Sequence, residues 1–448
     1  MKNQQNTKAA PLKIAIAGLG TVGKGVYKIL TDNAKIISER SGRKVEIVAV
    51  SSRDKSKNRG IDLGKIEWFE NAVDLASLEN VDVIVELIGG AKGVAHDLCK
   101  KAIKNGKHVV TANKALISKH GFELAELAEK HNVTIAFEAS VAGGIPILKS
   151  IREGFAGNKF KKIFGILNGT CNFILTKMKN EGRGFRSVLE EAQQLGYAEA
   201  DPTFDVDGID AGHKLSILSA LAFGIKPNFE NVFCEGIRKI TAEDIKYAGS
   251  LGYNIKLLGI ACAKKVGNKT LLEQRVHPCL LEKSAQIGNI DGVLGAVFVD
   301  TDSFGKGLFV GAGAGELPTA SAVVADIIDI ASGRINKPFG VAAENLKDGS
   351  FSSIEDHEGE YYLRLRVKDQ DGVLSSVTSI LAKNKIGFEK VHQEPITNEK
   401  APESKTKEAD IILITHNAAE KLIRKSITAL DAQKYLTEEP VLIRVERV

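Results

Sequence analysis

Cysteine is sparse in this chain: five residues in 448 (Cys99, Cys171, Cys234, Cys262 and Cys279), with none in CxxC spacing. That scatter excludes a thiolate zinc site and a disulfide framework. No run approaches the ~18 apolar residues that cross a bilayer. The opening MKNQQNTKAAPLK lacks the apolar stretch of a secretory signal. There is no dense basic block with interleaved aromatics, and Lys plus Arg (61) barely exceed Asp plus Glu (56). Neither nucleic acid nor a membrane is therefore expected as a partner. Tandem repeats and low-complexity tracts are missing as well. The expectation is a soluble, cytoplasmic protein, too long for one ordinary core and divided into two or three domains.

What is present begins with alternation. Residues 12–17 form a short apolar strand candidate running into GLGTVG, and a helical stretch follows through Ile37. Residues 45–50 (VEIVAV), 81–88 (VDVIVELI) and 108–111 (HVVT) read as further strands, with a helix near 95–105. Strands alternating with helices imply right-handed βαβ units and a parallel sheet. After Ala139 come glycine-rich turns, an acid cluster and a strand candidate at 255–261, the marks of a second, α+β domain. A glycine-rich turn at 310–319 (VGAGAGELPT) precedes a helix over 320–332. Between Gly340 and Glu360 the chain is polar and aperiodic, as a linker is. Residues 361–448 then run strand, helix, strand, strand, helix, strand, the order of a ferredoxin-like split unit. That unit carries a charged loop around 394–408.

Gly18, Gly20 and Gly23, with Thr21 and Val22 between them, form GxGxxG at a strand-to-helix junction. The first glycine permits a tight turn, the second lets backbone approach a pyrophosphate, and the third lets helix pack on strand. The helix start offers free N–H groups to the phosphates. Together they point to a dinucleotide. The second strand ends in Ser51–Ser52–Arg53–Asp54–Lys55, where hydroxyls, Arg53 and Lys55 suit the 2′-phosphate of NADP. Asp54 keeps NAD open, because an acid there takes a ribose 2′-hydroxyl.

Residues 196–214, GYAEADPTFDVDGIDAGHK, pack Glu199, Asp201, Asp205, Asp207 and Asp210 ahead of a single Lys214. On a helix, Asp210 and Lys214 stand one turn apart on the face of Ile217 and Leu221. Most Asp/Lys pairs at this spacing are surface ion pairs. Here the density of acids and the apolar continuation LSILSALAFG favour a site. Carboxylates beside an ammonium group hold a small zwitterion and leave one group to move a proton. A lysine side chain, ordinarily titrating near about 10.4, is the acid at neutral pH.

GLGTVG, TANKAL (111–116), EASVAGGIPI (138–147), GILNGTCNFIL (165–175) and the acid block occur in order. Together they closely resemble monofunctional homoserine dehydrogenase with a C-terminal ACT domain, over nearly the whole chain. The resemblance implies an α/β fold in several parts. A Rossmann-type NAD(P)-binding domain would span 1–138, completed by 308–340, and a catalytic and dimerisation domain 139–307. A linker at 341–359 would lead to a ferredoxin-like ACT regulatory domain at 360–448. It implies reversible interconversion of L-homoserine and L-aspartate 4-semialdehyde, on the way to threonine, methionine and isoleucine. Lys214 matches the family's acid/base lysine, Glu199 and Asp210 its homoserine-binding acids, and Asp205 a further acid of the catalytic cluster. Lys114 matches a second lysine between nicotinamide and substrate, and Gly315 a cofactor contact. Glu138, with the main chain at Val141, Gly143 and Ile145, matches a monovalent-cation site, usually sodium. Threonine is implied as feedback inhibitor and a homodimer or homotetramer as the assembly. Three positions depart from the common pattern: Cys171, Gly295 and Asp371.

Two other functions compete. Cys171 as nucleophile would make an aldehyde dehydrogenase acting through a thiohemiacetal, although no histidine lies near it in sequence to activate it. A catalytically silent NADP-binding sensor would bind cofactor without turning over homoserine, and the Glu199/Asp210/Lys214 set argues against it.

Overall fold

Leu12–Ala17 (β1) is apolar apart from Lys13, and five of its six residues are buried. A near-continuous apolar run of this kind is a strand covered on both faces. In the computed structural model, which describes residues 10–267, 269–396 and 407–448, β1 is a central strand of a six-stranded sheet. Along the chain follow Thr21–Asp32 (α1), Ala34–Ser41 (α2), Val45–Ser51 (β2), Glu67–Phe69 (β3) and Val83–Glu86 (β4). Val94–Lys104 (α3), His108–Thr111 (β5), Lys114–Lys130 (α4) and Ile135–Ala136 (β6) complete the layer. Every pairing is parallel and the order is β3-β2-β1-β4-β5-β6, the order of a doubly wound dinucleotide-binding sheet.

The chain then leaves this layer. Ile147–Lys149 (α5), Phe160–Ile166 (β7), Gly169–Glu181 (α6), Phe185–Gln194 (α7), Thr203–Val206 (α8) and Ile209–Phe223 (α9) lead to Phe233–Cys234 (β8) and Ala242–Ser250 (α10). The single strand expected at 255–261 is the middle of a long antiparallel hairpin, Tyr253–Val266 (β9) with Lys269–Glu282 (β10). Leu294–Thr301 (β11) and Lys306–Ala312 (β12) follow. Glu316–Ala331 (α11) then returns to the first layer, where Ala320, Val323 and Ile327 share a core with Ile14, Val26 and Leu30. Gly25 on α1 is the crossing point, since a Cβ there would come within 2.8 Å of the Glu316 carbonyl oxygen.

The last stretch is Glu358–Lys368 (β13), Val373–Lys383 (α12), Phe388–Ile396 (β14), Glu408–Thr415 (β15), Ala418–Ala419 (β16), Glu420–Asp431 (α13) and Val441–Val445 (β17). Most of the charged loop expected at 394–408 lies outside the described residues. One mixed sheet runs through both later parts in the order β12-β11-β7-β9-β10-β17-β13-β15-β14. Its central joint is parallel and short: Cys279 opposite Arg444 and Leu280 opposite Val445. The segment expected as a polar linker is laid against the core, with Ala343 and Leu346 buried. Leu272 of β10 exchanges backbone bonds with Ser350 and Ser352. Single apolar residues spaced by turns bury well yet leave no helix or strand period to read.

Charges buried across the joint hold it. Arg364 of β13 donates to Asp244 of α10 at 2.6 Å, and Tyr362 adds its hydroxyl at 3.1 Å. Asp244 also closes a capping box with Thr241. Arg275 of β10 bridges Glu273 at 2.6 Å and Glu446 at 2.9 Å. Removing one partner of a buried pair strands the other charge. Asp244→Ala is therefore expected to lower unfolding stability by about 3–5 kcal/mol, read from the urea midpoint, and a loss within error of zero would show that water reaches Arg364.

Candidate active site

Helix α9 is buried around nearly its whole circumference, so its polar residues must find partners inside the protein. Asp210 and Lys214, one turn apart, find each other: Lys214 Nζ donates to Asp210 Oδ2 at 2.7 Å and to the Leu167 carbonyl at 2.8 Å. From the parallel-sheet layer Lys114, the first residue of α4, brings its ammonium to 2.7 Å from Asp210 Oδ1. One buried carboxylate thus carries an ammonium on each oxygen. Burial works to raise Asp210, but Lys214 and Lys114 outweigh it and hold the carboxyl well below its usual range. For Lys114, burial favours the neutral form, and the Asp210 charge overcomes it and raises the pKa.

Asn168 completes the arrangement and was not singled out from the sequence. It caps α6 by accepting from the Cys171 amide at 2.8 Å. Its Nδ2 donates to Asp205 Oδ1 at 2.8 Å and Asp210 Oδ2 at 2.9 Å. The available signal was its place, an Asn directly before a helix start in GILNGTCNFIL. Burial and the neighbouring Asp210 raise Asp205 above the ordinary carboxylate range. Glu199 is exposed on the loop before α8, close enough that its charge helps to raise Lys114. The remaining acids are engaged elsewhere: Asp201 accepts from the Thr203 amide at 3.1 Å, and Asp207 pairs with Arg238 at 2.5 Å. His213 is sandwiched between Phe204 and Phe229, and burial pushes it down to about 4. It is a neutral spacer that props Phe204 under Lys114, whose Nζ stands 5.5 Å from the ring centre.

At the glycine loop, Gly18 adopts φ of 103°, and a Cβ there would come within 2.6 Å of the Leu87 carbonyl oxygen. A Cβ on Gly23 would strike the Gly18 carbonyl, whereas Gly20 faces open space. Thr21 and Val22 form the first turn of α1 beside it. A cavity of about 570 Å³ extends from Gly18 and Gly20 past Ser51, Ser52 and Arg53 to Ile88. Asp54 is turned to its own loop, accepting from the Ser56 amide at 2.8 Å and hydroxyl at 2.7 Å. Arg59, which the sequence reading missed, lines the same cavity, donates to Ser52 Oγ at 2.8 Å and lies over Trp68. Gly315 stands at the N-cap of α11, whose Glu316 faces Lys24 of α1 at 3.8 Å.

A family model described as homoserine dehydrogenase matches residues 146–328, and one described as homoserine dehydrogenase, NAD binding domain, matches 18–138. The chain is 45% identical to a homoserine dehydrogenase of Neisseria gonorrhoeae over 447 residues, covering 97% of this chain and 99% of that one. It belongs to the homoserine dehydrogenase family. A solved homoserine dehydrogenase from Thiobacillus denitrificans superimposes with a TM-score of 0.89 at 43% identity, over 97% of this chain and 98% of that one. A hyperthermophilic archaeal homoserine dehydrogenase in complex with NADPH gives 0.60 at 29% identity, over 71% of this chain and 97% of that one. The chain is accordingly an oxidoreductase with a nucleotide-binding domain. Among the described residues no helix is long and apolar enough to cross a membrane.

In this dehydrogenase Cys171 is fully buried, and its thiol donates to the Asp205 carbonyl at 3.2 Å. Burial, then the Asp205 charge, pushes that thiol well above its ordinary pKa, the opposite of what a thiolate nucleophile needs. Cys171→Ala should therefore keep most homoserine-dependent turnover, assayed as nicotinamide reduction, and a dead but folded variant would restore the thiohemiacetal route.

Glu138 is also buried, with Oε1 accepting from the Leu148 amide at 3.0 Å and Oε2 from the Lys149 amide at 2.8 Å. Burial and nearby Asp326 raise it to about 7. The turn after it passes through Ala142 at φ of 57°. Ile145 spends its carbonyl on the Ile147 amide at 2.7 Å, while those of Val141 and Gly143 accept no backbone bond among the described residues.

Proposed function

We propose that this dehydrogenase interconverts L-homoserine and L-aspartate 4-semialdehyde with NADP in preference to NAD, and that Lys214 exchanges the hydroxyl proton. The observation that carries the reading is the Lys114–Asp210–Lys214 arrangement, with ammonium groups from two layers meeting on one buried carboxylate. Nicotinamide bound beyond the glycine loop (Gly18, Gly20, Thr21, Val22, Gly23) and near Gly315 supplies the hydride chemistry. In reduction, Lys214 gives its proton to the oxygen that becomes the homoserine hydroxyl, and Asp210 keeps it oriented. In oxidation a neutral lysine takes that proton back, which favours alkaline conditions. Glu199 and Asp210 accept from the substrate ammonium, Lys114 sits between substrate and cofactor, and Asp205 tunes the cluster through Asn168. Arg53 and Arg59 beside Ser52, with Asp54 engaged in its own loop, support a 2′-phosphate, as does the NADPH complex of the archaeal relative.

The donor set at Glu138, Val141, Gly143 and Ile145 fits a weakly held monovalent cation such as sodium. It has oxygen donors only, one carboxylate with spare lone pairs and too little charge for a divalent cage. The βαββαβ unit from β13 to β17 is read as an ACT domain that takes threonine. A cavity of about 690 Å³ lined by Asp369, Asp371, Gly372 and Leu374 supports this. Such units pair across a two-fold axis, which suggests a homodimer or homotetramer.

Lys214→Met should keep cofactor binding and lose turnover by about 10²–10⁴-fold, measured by stopped-time nicotinamide absorbance; near-normal turnover would remove Lys214 from its role. Cutting off the terminal unit is a poor test of regulation, because β17 pairs with β10 and buries Arg444. Filling the cavity instead, Leu374→Trp should abolish inhibition by millimolar threonine with basal rate intact. Inhibition that persists at the same concentration would refute the assignment.

A further inference from the structure

Helices α3 and α4 carry a cluster that the dehydrogenase chemistry does not use. His96 lies in the first turn of α3, while His120 and Glu123 stand three residues apart on one face of α4. Glu123 Oε2 is 3.5 Å from His96 Nε2 and 3.6 Å from His120 Nδ1. These separations are too long for hydrogen bonds of any strength. They match the edges of a metal's coordination shell: bonds of about 2.0–2.1 Å in a tetrahedron put ligand atoms roughly 3.3–3.4 Å apart. One donor atom from each of the three residues lies within 4.8 Å of the others. The two rings face each other with centres 4.4 Å apart. His96 Nε2, the ring nitrogen that faces Glu123, is shielded from solvent without a hydrogen-bond partner, a costly state for an imidazole nitrogen unless something else satisfies it.

We propose that His96, His120 and Glu123 bind one divalent transition-metal ion, tying α3 to the helix that begins at Lys114. Two imidazoles and a carboxylate are the donor set of zinc, cobalt or nickel, whereas calcium and magnesium ask for oxygen alone. Three protein ligands leave a fourth position open to water. Two lysines oppose the ion: Lys100 Nζ holds Glu123 Oε1 at 2.5 Å, and Lys92 adds a positive charge felt at His120.

The test uses the full-length, untagged protein, stripped with chelator and titrated with Co²⁺ by equilibrium dialysis and visible absorption. Wild type should take up Co²⁺ with the d–d bands of a four-coordinate nitrogen and oxygen site. The double variant His96→Ala/His120→Ala should lose that spectrum, and Glu123→Gln should bind at least ~10-fold more weakly, the least that disturbing even an outer partner costs. Lys100→Ala should bind severalfold more tightly, an effect that a purely structural cluster would not show. Homoserine turnover in metal-free buffer should be unchanged in all of them, which reports the fold; if the alanine pair fails to fold, His96→Gln/His120→Gln is read the same way. Co²⁺ uptake in the double variant equal to wild type, or no uptake above background in wild type, would overturn the proposal.

Discussion

The meeting of the first two layers turns on one buried carboxylate. Asp210 is taken out of water on α9, and a lone carboxylate in such a place would cost several kcal/mol or protonate. Two ammonium groups and the Asn168 amide answer it, and each comes from a different element: Lys214 from α9, Lys114 from α4 and Asn168 from the start of α6. Because Lys114 belongs to the parallel-sheet layer and Lys214 to the next one, the same carboxylate that orients Lys214 also fixes where the two layers meet. A small shift of either layer would leave an unpaired charge inside the protein, so the geometry of the chemistry and the docking of the layers are stabilised by the same contacts.

The terminal unit is joined by a similar logic, with the signs reversed. Its strands bring arginines, Arg364 and Arg444, into a sheet they share with β10, and acids from the middle layer and from the unit itself meet them: Asp244, Glu235 and Glu420. Backbone pairing at the joint amounts to two residue pairs, so side-chain charge carries much of the connection. Movement at the cavity beside α12 therefore has a stiff path of sheet and ion pairs toward β9 and β10, on which α9 packs.

Much of this was legible beforehand wherever a local pattern carried it. The strands at 12–17 and 108–111 agree with the structure residue for residue, because apolar runs between turn signals are local. The Asp210–Lys214 pair followed from helical spacing alone. The helix expected through Ile37 is broken at Asn33 into α1 and α2, and the hairpin of β9 and β10 is twice the length of the strand expected there. Asn168 and Arg59 were missed since an Asn before a helix and an Arg in a charged loop are common everywhere. Only their partners distinguish them.

By itself the sequence determined most element types and the glycine turn at Gly18–Gly23, since these depend on backbone geometry and side-chain type within a few residues. Tertiary structure alone decided that Lys114, 96 positions before Asp210 in the numbering, shares its carboxylate, that Cys171 is sealed away, and that the aperiodic segment before β13 is packed against the core. It also decided that α11 returns to close the first layer and that β17 seats itself beside β10. Burial and long-range pairing set each of these, and both are properties of the folded whole that no short window of sequence contains.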